Sequence, residues 1–153
     1  MAQSIGLVAA SQRQRGDVRQ AREQFDASPL FRRARDYCER TYGEWYILSA
    51  RHYLLTPQQV IGPDEQRLHT LPAEERLRWA TQVAQQLYTL ARQRAEPLTL
   101  VLFASQRYAD LLGRVAPDLA IEQPLSGLSL RARLHWFDER LSVRSRWLGA
   151  PTQ

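Results

Sequence analysis

The chain reads as an α/β protein, with a mainly parallel sheet of about four strands held between two helix layers. Three observations lead there. Short, nearly continuous apolar runs recur at Ser4–Ala10, Trp45–Leu48 and Leu98–Phe103, as suits strands buried on both faces. Stretches with apolar residues at helical spacing separate these runs, and such alternation implies parallel βαβ units with right-handed crossovers. The 153 residues are 44% hydrophobic and 24% charged, an ordinary globular balance. Residues 1–147 are read as one α/β domain and 148–153 as a frayed tail.

Ser4–Ala10 (SIGLVAA) is the first strand, and polar, arginine-rich Ser11–Asp26 is a long loop with a helical turn near Val18–Phe25. Ser28 is a good N-cap and Pro29 suits the first helical position. Leu30, Phe31, Ala34, Tyr37 and Cys38 then recur at helical spacing up to Gly43, a natural left-handed terminator. Trp45–Leu48, continued by Ser49, is the second strand. Thr56–Leu71 is a polar connector with a turn around Pro57–Ile61. A helix should run from about Pro72 to Arg94, with Leu77, Ala80, Ala84, Leu87 and Ala91 as its core-facing stripe. Leu98–Phe103 is the third strand, and Ser105 caps a helix over Gln106–Arg114. Leu119–Ile121 is the last strand and Gln123–Leu128 a turn. The final helix starts near Ser129, with Leu130, Leu134, Phe137 and Leu141 on one face.

Composition narrows the chemistry. All 21 cationic side chains are arginine, so no lysine can form a Schiff base or serve as a P-loop phosphate ligand. Arginine stays charged and grips phosphate or carboxylate with a planar fork. The net charge of +5 makes an anionic partner, a nucleotide or nucleic acid, the expected ligand; a solvated basic surface is the alternative. The one cysteine, Cys38, falls on the apolar face of a helix and reads as a core residue. His52, His69 and His135 lack zinc-site spacing, so no metal is expected, and no cofactor motif is present. No run reaches the roughly 18 apolar residues of a membrane span. The N-terminus is a poor signal peptide, and a cytoplasmic location is expected.

Topology then gathers four segments at one sheet edge: Ser11–Arg15, Ser49–Tyr53, Ala104–Tyr108 and Gln123–Gly127. Ligands of open α/β sheets sit beyond the carboxyl ends of strands. His52 is the candidate general base, with Arg51 and Ser49 beside it for phosphate; a polar loop with a backbone-bonded histidine is the plainer reading. Asp64 and Glu65 are candidate carboxylates for activating water, or else a solvated acidic turn. Ser105, Arg107 and Tyr108 open a helix after a buried strand, where free N–H groups attract anions; an ordinary capped helix is the alternative. Ser11 and Arg13 offer further anion contacts, but their loop lacks the glycines of a P-loop or dinucleotide turn. Gly127 completes the candidate binding set. No GxSxG elbow supports a serine hydrolase.

Six segments together resemble a bacterial and phage family of unknown function, DUF6884: VAAS at Val8–Ser11, SPLFRRAR at Ser28–Arg35, WYILSARHYLL at Trp45–Leu55, LPAEERLRWA at Leu71–Ala80, SQRY at Ser105–Tyr108 and PLSGLSLRARLHWF at Pro124–Phe137. The family pattern carries a cysteine and lysines in the first loop, where Ala10, Gln12 and Gln14 stand. It carries a glycine at Tyr53, a proline-tyrosine-aspartate at Pro63–Glu65, and a glycine-rich turn reaching Leu130 and Arg131. These departures imply either a different substrate or a non-catalytic relative. The layout is similar to the uracil-DNA-glycosylase-like domain of archaeosine synthase. That likeness implies a three-layer α/β/α sandwich and nucleobase or N-glycosidic chemistry. It leaves three expectations: an N-glycosidase-like hydrolase, a binding module for nucleic acid or phosphorylated ligands, and an accessory protein acting through a protein partner or as a homodimer.

Overall fold

A computed structural model describes the backbone of residues 3–149 and the side chains of residues 3–142. Strands β1 (Gln3–Ala9), β3 (Trp45–Ser49), β6 (Leu98–Phe103) and β7 (Ala120–Glu122) lie parallel, the first three as their apolar runs anticipate. A fifth strand, β4 (Tyr53–Leu55), turns back antiparallel to β3, so the sheet is mixed, with the order β4-β3-β1-β6-β7. The expected count of about four strands was therefore one short. The segment after Ser49 is a hairpin turn rather than an open loop.

Alternation along the strands sends side chains to two cores. Val101 and Phe103 face one side of β6, and Leu100 and Leu102 face the other. Helices α2 (Pro29–Thr41) and α5 (Leu130–Gly149) cover the first face, bringing Phe31, Ala34, Cys38 and Phe137. Helices α3 (Ala73–Arg92) and α4 (Gln106–Val115) cover the second, with Trp79, Val83, Leu87 and Leu112. Burying each such large apolar side chain contributes about 1.5–3 kcal/mol. Gly6 lies where α2 crosses β1, and a Cβ there would stand 2.7 Å from the Cys38 sulfur and 3.1 Å from the Tyr42 ring.

Local chemistry explains most boundaries. Ser28 Oγ accepts from the Phe31 N–H at 3.2 Å and Pro29 opens α2. At the other end, the Tyr42 N–H closes on the Cys38 carbonyl and the chain leaves extended. Gly43 does not take the left-handed conformation expected of it. The core stripe of α3 is Trp79, Ala80, Val83, Ala84 and Leu87, turned from the expected one, and Leu77 is 37% exposed. Both stripes fit the helical period, and the larger burial of Trp79 decides between them. Leu130, expected on the buried face of α5, is likewise 63% exposed.

The two connectors are not plain loops. β2 (Arg19–Gln20) pairs antiparallel with β5 (Val60–Ile61), and α1 (Ala21–Gln24) follows β2 at the expected helical turn. Gln24, buried, donates from Nε2 to the Asp17 and Ile61 carbonyls, which ties the two connectors together. A 3₁₀ turn, Leu68–Thr70, precedes α3. Among the described residues no helix is long and apolar enough to cross a membrane. The side chain of Trp147 and residues 150–153 of the expected frayed tail lie outside the described residues.

Candidate functional site

The carboxyl ends of β1, β3 and β6 open onto a cleft of about 400 Å³. Strand order explains its place. From β1 the chain passes to β3 on one side, while β6 and β7 add on the other. At such a reversal the crossover helices leave on opposite faces and a crevice opens beyond the strand ends. Val8, Phe25, Phe31, Phe103 and Phe137 give the cleft apolar walls. Its polar groups include Ser11, Gln14, Ser49, Asp64, Glu65, His69, Ser105 and Tyr108, with two arginines, Arg67 and Arg133. A second hollow of about 660 Å³ shares His69, Ser105 and Tyr108 and adds Arg76, Arg107 and Asp110.

The structure thus brings Ser11, Ser49, Asp64, Glu65, Ser105 and Tyr108 to one cleft. Arg107 lines the neighbouring hollow. Arg51 and His52 line neither, because the chain reverses at Ala50–His52 to enter β4. The His52 N–H instead donates to Ser49 Oγ at 3.1 Å, so the serine caps its own hairpin. The Ser49 carbonyl accepts from Trp79 Nε1 at 2.9 Å, which fixes the end of β3 against α3. Tyr53, beyond the turn, has φ of 63° and is 38% exposed outside the cleft. Arg13 and Gly127 also lie outside it. Gly127, with φ of 77°, serves the turn before α5.

The carboxylates are held by the first connector. Gln14 donates from Nε2 to the Asp64 carbonyl at 2.7 Å and accepts the Asp64 N–H at 3.0 Å. The Asp64 carboxylate accepts the Gln66 N–H at 2.8 Å and so forms its own turn. Glu65 is exposed and makes neither a side-chain hydrogen bond nor an ion pair among the described residues. Ser105 sits at the N-cap position of α4 without a side-chain cap bond. Tyr108 packs edge-on against Trp79 at 5.7 Å, and burial raises its pKa, keeping the phenol neutral.

Several cleft residues carry no sequence signal, Arg133, Arg67 and His69 among them. Arg133, in the first turn of α5, donates from Nε to the Leu128 carbonyl at 3.0 Å and from Nη1 to the Ala104 carbonyl at 3.3 Å. It forms no ion pair with a described carboxylate. Five guanidinium donors less these two leaves three for a ligand. His69 stands on the 3₁₀ turn, where its spacing from the other histidines speaks only against zinc. Cys38 is buried, and burial with the nearby Glu39 charge pushes its thiol up, which rules it out as a nucleophile. No group of three or more His, Cys, Asp or Glu among the described residues can hold a metal ion.

No curated protein and no solved structure matches the chain. A family model does match, over residues 5–139. The chain belongs to that family of unknown function, DUF6884.

Proposed function

We propose that the protein binds a nucleotide-class ligand in the cleft and hydrolyses its N-glycosidic bond. The observation that carries this reading is Arg133, a half-buried cation held by two carbonyls, with no acidic partner among the described residues, in a cleft with aromatic walls. A partly desolvated cation of this kind favours an anion, and planar apolar walls favour a base.

In this reading the base packs against Phe25, Phe31 and Phe103, and Arg133 faces the ligand phosphate. The free carboxylate of Glu65 activates water and stabilises the positive charge that develops on the sugar. Water adds to the anomeric carbon, the bond to nitrogen breaks, and the base leaves with a proton supplied at the rim by His69. Arg133 therefore takes the phosphate role expected of Arg51, and Glu65 takes the base role expected of His52.

A second reading, binding without turnover, is favoured by one observation: the Asp64 carboxylate is committed to the Gln66 N–H, leaving a single free carboxylate. Incubation with nucleoside 5′-monophosphates and with single-stranded DNA, followed by chromatography of free base, separates the two. Base release that Glu65→Gln abolishes supports hydrolysis. Binding by the wild type without release selects the second reading. Neither binding nor release overturns both.

A further inference from the structure

The cleft does not end at Tyr108. It continues into the hollow beside α4, and the two share His69, Ser105 and Tyr108. A volume of about 400 Å³ already suffices for one small ligand, so the adjoining 660 Å³ is surplus to a mononucleotide. The surplus is basic. Arg107 makes no ion pair among the described residues, and Arg76 donates only to the Leu71 carbonyl, at 2.7 Å. The one carboxylate there, Asp110, is engaged by Gln106 Nε2 at 2.9 Å. At the junction, the Tyr108 hydroxyl has no hydrogen-bond partner among the described residues, while its ring is braced on Trp79. Trp79 is in turn fixed by its bond to the Ser49 carbonyl. A braced aromatic between an apolar pocket and a cationic channel is the arrangement that binds a flexible polyanion carrying flat bases.

We infer that the ligand is a single nucleic-acid strand, with one base in the cleft and the neighbouring phosphates along the hollow at Arg76 and Arg107. This rests on the nucleotide reading above and names its substrate class. A free mononucleotide fills only the cleft. A duplex hides its bases in the stack, so a strand with unpaired bases is the form that enters directly.

The test is fluorescence anisotropy with a labelled oligothymidylate of about six nucleotides, within the usual length of a single-strand site. Thymidine 5′-monophosphate serves as competitor, and salt is varied from low to physiological. The wild type should bind the strand more than about tenfold tighter than the monophosphate at low salt. The variant Arg76→Gln/Arg107→Gln should lose most of that gap, and the slope of log affinity against log salt should become shallower by about 1.4 for two phosphate contacts. The variant Arg92→Gln/Arg114→Gln removes the same charge at the C-terminal ends of α3 and α4 and should keep the gap. If strand and monophosphate bind the wild type equally, the strand inference fails while the nucleotide reading stands. If the control pair loses the gap as fully as the groove pair, general charge explains the binding and the inference also fails. If neither ligand binds, the nucleotide reading falls with it.

Discussion

Gln14 is the clamp that holds the carboxylate loop to the cleft, and its removal has a calculable effect. Its amide makes two reciprocal bonds to the Asp64 backbone, at 2.7 and 3.0 Å, across fifty residues of sequence. Each such bond contributes a net of about 0.5–1.5 kcal/mol. Gln14→Ala should therefore cost about 2 kcal/mol, felt as local opening of the 62–67 segment. Hydrogen exchange of the Asp64 amide reads this directly, and 2 kcal/mol is about a thirtyfold loss of protection. Gln14→Glu keeps the acceptor for the Asp64 N–H but loses the donor to its carbonyl. It should give about half the effect, near 1 kcal/mol. Because Glu65 is next in sequence, base release should fall in step with protection. An Asp64 amide that exchanges at the wild-type rate in Gln14→Ala refutes the clamp.

Three further outcomes test the fold around the cleft. Glu44 accepts from Arg94 at 2.6 Å and from the Tyr46 hydroxyl; burial raises its pKa, but these bonds and the arginine charge together hold it below the usual 4.5. A depressed carboxylate adds stability above the ordinary value and loses it as pH falls through the folded one. Glu44→Gln should thus cost about 1–2 kcal/mol at neutral pH in urea unfolding, with the gap closing below pH 4.5; a gap independent of pH contradicts the pairing. Tyr53 occupies left-handed backbone that costs a side chain about 1–2 kcal/mol, against about 0.5–1 for glycine's extra chain entropy. Tyr53→Gly should leave the melting temperature unchanged or raise it, whereas Tyr53→Val should lower it, and a clear drop in the glycine variant contradicts the strain. Gly6→Ala should cost about 1–3 kcal/mol by driving a methyl into Cys38. Adding Cys38→Ala should recover part of that loss, and strict additivity in denaturant unfolding would show that the contact is not its source.

β1, β3 and β6 were legible because each is an apolar run with β-forming residues and needs no partner to be recognised, whereas β7 showed only as the short piece Leu119–Ile121. β4 was not legible, because three residues carry no period and the turn before it lacks the Asn-Gly or Asp-Gly signature of hairpins. Tyr53 takes the positive φ that a glycine would have announced. β2 and β5, two residues each, exist only as a pair formed across the connectors. The same distinction runs through the cleft. Ser11, Ser49, Ser105 and Tyr108 follow strand ends, so topology alone brings them to one sheet edge. Arg133 reaches the cleft because α5 packs across α2, a tertiary fact invisible among 21 arginines. His52 lies outside the cleft for the converse reason: one hairpin turn carries it away from the strand edge that its position in the chain suggests.

The reading rests most heavily on Arg133 facing an anion. Calorimetry of a nucleoside 5′-monophosphate and of the unphosphorylated nucleoside, against wild type and Arg133→Gln, tests this with thermal unfolding as the check on folding. A bond from a charged donor is worth about 1.5–3 kcal/mol, so the variant should bind the monophosphate about ten- to a hundredfold more weakly. Its affinity for the nucleoside should change far less. A folded Arg133→Gln protein that binds the monophosphate as tightly as the wild type contradicts the proposal.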